Sequence, residues 1–141
     1  MAGLKRTSRS RGKRGAALLE MAIVAPVMLL LTLGIIEYGW LLLKSQQLSN
    51  AARVGARMGA RYGASSANIT SAVSSVMTTN GLSASGYTLT TTPSDPASLG
   101  AGGLLTVEVS VPYANIDALG ISLIPTPTTI RGRVVMAREG P

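Results

Sequence analysis

Three residues near the N-terminus have the types and spacing for a processing reaction and an ion pair. Gly15 and Ala16 follow a basic tail, and Glu20 comes four residues after Ala16. Residues four apart lie on one face of a helix. A cut between Gly15 and Ala16 creates an α-amine, which Glu20 neutralises in a low dielectric, within one subunit or between neighbours. The structural alternative is a surface carboxylate that the helix dipole stabilises by up to about 1 kcal/mol.

The rest of the chain offers no catalytic constellation. The 141 residues include no Cys and no His, which excludes a thiolate nucleophile, an imidazole base and the usual kind of zinc site. Asp95, Glu108 and Asp117 are isolated in the sequence, and no phosphate-binding glycine motif is present. We therefore expect no enzyme activity, no cofactor, no metal site and no small-molecule substrate.

An apolar segment surrounds and follows Glu20 and predicts a transmembrane helix. A helix over residues 16–38 is about 34 Å long, close to the bilayer hydrocarbon thickness of about 30 Å. Glu20 and Glu37 lie near its ends, where a carboxylate costs less than at mid-bilayer. Tyr38 and Trp40 then fall at the outer interface. A cleaved signal peptide is the alternative, but the apolar region is too long for one.

The basic charge is concentrated before this segment and predicts its orientation. The net charge is +7, and the tail supplies six of the 13 basic residues, namely Lys5, Arg6, Arg9, Arg11, Lys13 and Arg14. Basic residues remain on the cytoplasmic side of a membrane helix. We expect a single-pass protein of the inner membrane, with a cytoplasmic N-terminus and an extracytoplasmic C-terminal domain. Nucleic acid is not an expected partner, because the charge outside the tail is nearly balanced.

A repeat of four residues follows the apolar segment. It gives one row of arginines and one row of glycines, which are Arg53, Arg57, Arg61 and Gly55, Gly59, Gly63. Each glycine costs a helix about 1 kcal/mol relative to alanine, and close packing against another helix compensates for this. We assign the three glycines to assembly contacts. A solvated basic helix of low stability is the alternative, and the role of the arginine row stays open.

The pattern of apolar residues in the C-terminal part predicts a small α+β domain. Apolar residues at helical spacing predict a short helix over residues 67–79, stopped by Asn80 and Gly81. Alternating segments predict about three antiparallel strands, beginning near Tyr87, Leu105 and Ile130. An apolar connector over residues 116–124 covers the sheet or contacts a partner. The expected organisation is a leader at 1–15, a transmembrane helix with its helical extension at 16–64, and the domain at 65–141.

The N-terminal pattern resembles two related groups of proteins. Gly15, Ala16 and Glu20 after a basic leader resemble type IV prepilins, which a membrane prepilin peptidase cuts after the glycine. The longer stretch from Arg14 to Arg57 is similar to TadE-like proteins, which are pilin-like (pseudopilin) components of the tight-adherence (Tad) type IVb pilus system. The matching positions are Gly15, Ala16, Glu20, Pro26, Gly34, Glu37, Gln47, Ala51, Ala52, Arg53, Gly55, Ala56 and Arg57. Met21 departs from the aromatic residue often found after the glutamate, which favours a pilin-like subunit over the major pilin.

The resemblance implies a structural component needed to assemble a Tad/Flp-type pilus, which serves adhesion and secretion. It implies the membrane, a prepilin peptidase, other pilin-like subunits and pilus assembly proteins as partners. One alternative is a generic single-span anchor carrying a small extracytoplasmic binding domain, which needs no cut at Gly15. Another is a cationic membrane- or nucleic-acid-binding protein, supported by the tail alone. Entry into the filament and residence in the assembly machine both fit this pattern.

Overall fold

A computed structural model describes residues 9–120 and 125–140 of the chain, with side chains from Gly15 onward. Residues 1–8 of the predicted leader and residues 121–124 of the predicted connector lie outside the described residues. The elements are α1 (Arg9–Ala60), α2 (Ser66–Thr79), β1 (Thr88–Thr92), β2 (Leu104–Pro112) and β3 (Thr129–Ala137), with 3₁₀ turns at Pro96–Ser98 and Tyr113–Asn115. The predicted class is confirmed: a long apolar N-terminal helix, a short helix and a three-stranded antiparallel sheet.

The chain forms two compact units, and the division between them falls inside α1. The first unit comprises residues 1–36 and the second residues 37–141. The sequence predicted a domain boundary between residues 64 and 65, where the long helix was expected to end. The compact units are defined by contacts between residues, and these place the boundary between residues 36 and 37. The second half of α1, expected to be a helical extension of the membrane segment, contributes to the core of the second unit.

The sheet has the strand order β1-β2-β3, and both pairs are antiparallel. β2 is central and alternates as its sequence predicts. Leu105, Val107, Val109 and Val111 are fully buried, while the polar residues between them are half-buried on the other face. In β3, Ile130 is buried, and Arg131 and Arg133 are exposed on the opposite face, as predicted. A period of two therefore separates a core face from a polar face.

The short helix α2 has identifiable start and stop signals. At its start, the side-chain Oδ1 of Asn68 accepts a hydrogen bond from the Ser65 backbone N–H at 2.9 Å. This satisfies a backbone donor at the helix N-terminus. At its end, the N–H of Asn80 donates to Val76 and the N–H of Leu82 donates to Met77. Ile69, Val73 and Met77 form the buried stripe, so the predicted helix and its core face are confirmed.

The second half of α1 packs with α2 and the sheet around one apolar core. Leu48, Ala52 and Ala56 of α1 belong to the same buried cluster as the inward residues of α2 and β2. β3 comes close to α1 at Gly132, where an added Cβ would collide with the backbone of Leu48 and Ser49. Small residues on both elements thus allow the helix and sheet to approach closely.

Candidate functional site

The predicted processing residues lie together near the start of α1. Gly15, Ala16 and Glu20 are helical and exposed. A Cβ added to Gly15 would meet no atom within 4 Å, so packing does not require glycine at this position. Among the residues whose side chains the structure describes, no cation forms an ion pair with Glu20. A pair between Glu20 and an Ala16 amine requires the cut, because in the intact chain the Ala16 nitrogen belongs to a peptide bond.

The following stretch of α1, residues 15–36, has no buried apolar face. Its large apolar side chains point outward in all directions; Leu18 is 72% exposed and Ile35 is 75% exposed. The helix includes an 18-residue window with a mean hydropathy of 2.3, of which none is buried within the subunit. A helix that is apolar all round requires an apolar environment, either lipid or other helices. By length and composition this is the chain's candidate membrane-spanning segment.

Glu37, the first residue of the second unit, forms a buried contact between α1 and the sheet region. It is 4% exposed, and its Oε1 accepts a hydrogen bond from the hydroxyl of Tyr113. Burial raises the pKa of the Tyr113 phenol above its usual range, and the hydrogen bond to Glu37 and the nearby charges of Glu37 and Asp117 raise it further. Tyr113 therefore remains a neutral donor toward Glu37.

Two aromatic residues beside Glu37 tie α1 to the same region. The Tyr38 hydroxyl donates to the carbonyl of Pro125 at 2.8 Å, and Trp40 Nε1 donates to the carbonyl of Ile116 at 2.6 Å. Lys44 Nζ lies 4.5 Å from the centre of the Trp40 ring, in a cation–π contact. The rings predicted to sit at the membrane interface thus also have polar partners within the domain.

The predicted assembly glycines occupy different surroundings. A Cβ on Gly55 would lie 2.6 Å from Val73 Cγ2, and one on Gly59 would lie 2.5 Å from Leu105 Cδ2 and 2.6 Å from Ile69 Cδ1. Both glycines therefore face α2 and β2 of their own subunit. Close helix packing does explain them, but the neighbouring helix belongs to the same chain. Both positions are buried within the subunit, and the assembly role assigned to Gly55 and Gly59 stays a prediction.

Gly63 differs from the other two glycines because it follows the helix. α1 ends at Ala60, and Gly63 has a φ of +75°, a conformation that glycine adopts without steric cost. It is exposed, and an added Cβ would meet no atom within 4 Å. The glycine therefore serves the turn between α1 and α2. The three glycines of the row therefore have two different structural roles: close packing at Gly55 and Gly59, and a turn at Gly63.

The arginine row lies on the opposite side of α1 from the buried glycines. Arg53, Arg57 and Arg61 are all exposed. Within the described part of the chain, the ion pair that forms is between Arg131 and Glu108, at 3.8 Å, and none of the three arginines takes part in it. The row is consistent with the solvated face of a helix whose other face is buried.

Comparison with known proteins gives one family match, which lies in the N-terminal part of the chain. Residues 15–57 match the family model described as TadE-like protein. These 43 residues are similar to TadE-like proteins and make up less than a third of the 141-residue chain. No curated protein and no solved structure matches the chain. This match supports a pilin-like component associated with the Tad pilus.

The TadE-like region lies entirely within α1. It begins at Gly15 and covers both the exposed apolar residues and most of the buried second half of the helix. α2 and the three strands follow it in the chain. The family resemblance predicted from Arg14 to Arg57 is therefore confirmed at nearly the same boundaries. The match includes both Glu20, which is exposed, and Glu37, which is buried.

Sequence reasoning missed the partners of the second carboxylate in the TadE-like region. Glu37 was interpreted as an acid near the end of a membrane helix, and Asp117 as an isolated acid. The structure brings both to the wall of one cavity, together with Tyr113. The cost of a carboxylate beside an apolar segment was a signal that Glu37 needs a partner. Nothing in the sequence indicates Tyr113, which lies 76 positions away.

Proposed function

We propose that this chain is a processed, membrane-anchored, non-catalytic subunit needed to assemble a Tad pilus. The observation that carries the proposal is the helix surface over residues 15–36, which is apolar all round and is not packed within the subunit. In the inner membrane lipid covers this surface, and in an assembly the helices of other pilin-like subunits cover it. The biological outcome is adhesion or secretion by way of the pilus.

The processing step is a cut between Gly15 and Ala16 by a prepilin peptidase. The family match begins at Gly15, and the subunit's packing places no steric demand on this glycine. Recognition by a peptidase accounts for a glycine that the fold does not require. After the cut, the Ala16 amine and Glu20 lie one helical turn apart and neutralise each other at a helix–helix contact.

Intact mass measurement of the membrane-bound protein tests the cut. The mature chain is expected to begin at Ala16, and Gly15→Leu is expected to retain the leader. Gly34→Leu is the matched control, because Gly34 lies in the same helix and also has open surroundings. A mature chain that begins at Met1, or near Ala51, contradicts the processing step.

The orientation we propose places the N-terminus in the cytoplasm and the domain outside. It rests on the basic tail and on the single candidate span found in the described residues. The sequence contains no cysteine, so Ser98→Cys adds a unique exposed thiol to the domain. In intact spheroplasts a membrane-impermeant maleimide is expected to label it fully. Labelling that appears only after lysis places the domain in the cytoplasm and contradicts the orientation.

A further inference from the structure

An open cavity of about 330 Å³ lies within the second unit. It is formed between α1 at Glu37 and the segments that follow β2 and precede β3. Glu37 lines it from α1, Tyr113 and Asp117 from the segment after β2, and Thr126 and Thr128 from the segment before β3. Three separate parts of one chain thus converge on a space large enough for an ion with bound water. Neither the family match nor the pilus role assigns a purpose to this cavity.

One oxygen of Glu37 is not satisfied by the protein. Oε1 accepts from Tyr113, whereas Oε2 is fully buried and has no hydrogen-bond partner among the described residues. The whole side chain is 96% buried, since its exposure is 4%. A buried carboxylate oxygen without a donor or a cation is strongly unfavourable. Glu37 lines the cavity, and a positive group bound there would offset this cost.

The other groups at the cavity wall also select for a cation. Asp117 provides a second carboxylate, and Thr126 and Thr128 provide hydroxyl oxygens. No lysine or arginine is among the described residues that line the cavity. Lys44, the buried lysine of the same helix, lies over the Trp40 ring instead. The wall thus presents two carboxyl groups and several neutral oxygen atoms, and its described residues include no basic side chain.

We propose that this cavity binds a hard divalent cation of the calcium type, with the carboxylates of Glu37 and Asp117 as its charged ligands. Calcium accepts carboxylate, hydroxyl and carbonyl oxygens in flexible geometry, as segments from three parts of a chain would supply them. Magnesium requires nearly ideal octahedral geometry, and zinc prefers the Cys and His ligands that this sequence lacks. The proposal departs from the expectation of no metal site, which considered sequence spacing alone.

The chain contains its own reporter for this site. Trp40 is the single tryptophan, and its Nε1 donates to the carbonyl of Ile116, the residue before Asp117. The full-length protein, purified in detergent and stripped with a chelator, is titrated with calcium chloride while tryptophan fluorescence is recorded. Magnesium chloride and sodium chloride at equal ionic strength are titrated in parallel. Glu37→Gln and Asp117→Asn test the ligands, and Glu139→Gln removes an exposed acid outside the cavity as the matched control.

We expect a saturable fluorescence change with half-saturation at about 10⁻⁴–10⁻³ M calcium, as in extracellular calcium modules. Asp117→Asn and Glu37→Gln are expected to weaken it by at least about tenfold, and Glu139→Gln to leave it unchanged. The exposed Asp117 makes its variant informative even if Glu37→Gln does not fold. A response that is absent up to about 10 mM calcium, equal with sodium, or unchanged in Asp117→Asn overturns the proposal. Because binding is measured on isolated subunits, its failure leaves the processing and pilus proposals untouched.

Discussion

The two halves of α1 belong to one helix but have opposite surroundings. Residues 15–36 expose apolar side chains in all directions, whereas residues 37–60 bury a face of small and apolar residues and expose arginines on the other. Glycine also differs between them: Gly34 has open space around it, while Gly59 contacts two apolar side chains. The contrast teaches that the two halves of one long helix have different packing requirements. The apolar side chains of the first half need partners outside the subunit, whereas the buried face of the second half packs against α2 and the sheet of the same subunit.

The largest expected effect comes from filling the close contact in the second half of α1. Gly59→Val adds atoms where Leu105 and Ile69 already occupy the space, and overpacking of this kind costs up to about 3 kcal/mol and occasionally more. Thermal unfolding of the full chain in detergent, followed by circular dichroism and near-ultraviolet signals, measures it. Gly34→Val in the first half is the control and is expected to leave domain unfolding unchanged. Equal effects of the two substitutions would remove the distinction between the halves.

Tyr113→Phe is expected to have the next largest effect. It removes the hydrogen bond that Glu37 Oε1 receives, and leaving a buried acceptor unpaired costs about 1–3 kcal/mol. The phenol pKa is raised in the folded protein, above a value of about 10 for an unfolded chain. Tyr113 therefore contributes stability that is fully present below about pH 10 and is lost as the pH rises toward the folded pKa. Denaturant unfolding at several alkaline pH values measures both effects.

The control for this prediction is Tyr87→Phe. Tyr87 is half-buried and packs at the edge of the same core, but no hydrogen bond from its hydroxyl to Glu37 is present. The alkaline loss of stability is expected to be smaller in Tyr113→Phe than in the wild type or in Tyr87→Phe. An unchanged alkaline slope in Tyr113→Phe would show that the Tyr113–Glu37 contact does not contribute to folding.

Glu20→Gln tests the first half of the helix, where effects are expected in assembly and not in domain stability. If Glu20 pairs with the Ala16 amine, losing about 1.4 kcal/mol at the helix contact lowers association about tenfold. We expect normal insertion and processing, unchanged domain unfolding, and poor crosslinking to pilin-like partners at equal expression. Glu20→Asp keeps the charge and is the matched variant. Wild-type crosslinking of Glu20→Gln would reduce this residue to a helix-end carboxylate worth at most about 1 kcal/mol.

The smallest effect is expected on the exposed side of the second half. Arg57→Gln changes a residue that lies near Gly55 and Gly59 in the sequence but faces away from the core. Because surface substitutions usually change stability by less than about 0.5 kcal/mol, the unfolding midpoint is expected to stay near that of the wild type. Denaturant unfolding of Arg57→Gln, Gly59→Val and the wild type in parallel measures the change in midpoint. A loss comparable to that of Gly59→Val would mean that the arginine row has a structural partner.

Much of the fold was predictable because its elements have strong local patterns. The alternation of Leu105 to Val111 specifies one buried face of a strand, and the spacing of Ile69, Val73 and Met77 specifies the stripe of α2. The region from Gly15 to Arg57 carried the family signal, since its composition and spacing are sequential features. Close packing was one of two interpretations of the glycine row at Gly55 and Gly59. The row by itself does not specify which helix or strand approaches it.

The sequence by itself determined the candidate membrane span, the α+β class and the TadE-like region, because hydropathy, periodicity and short motifs are properties of neighbouring residues. Only the tertiary structure decided that the second half of α1 belongs to the domain core, and that Glu37 meets Tyr113 and shares a cavity with Asp117. These contacts join residues about half the chain apart. Their formation depends on how the helix and sheet pack together, and no local pattern in the chain encodes that arrangement.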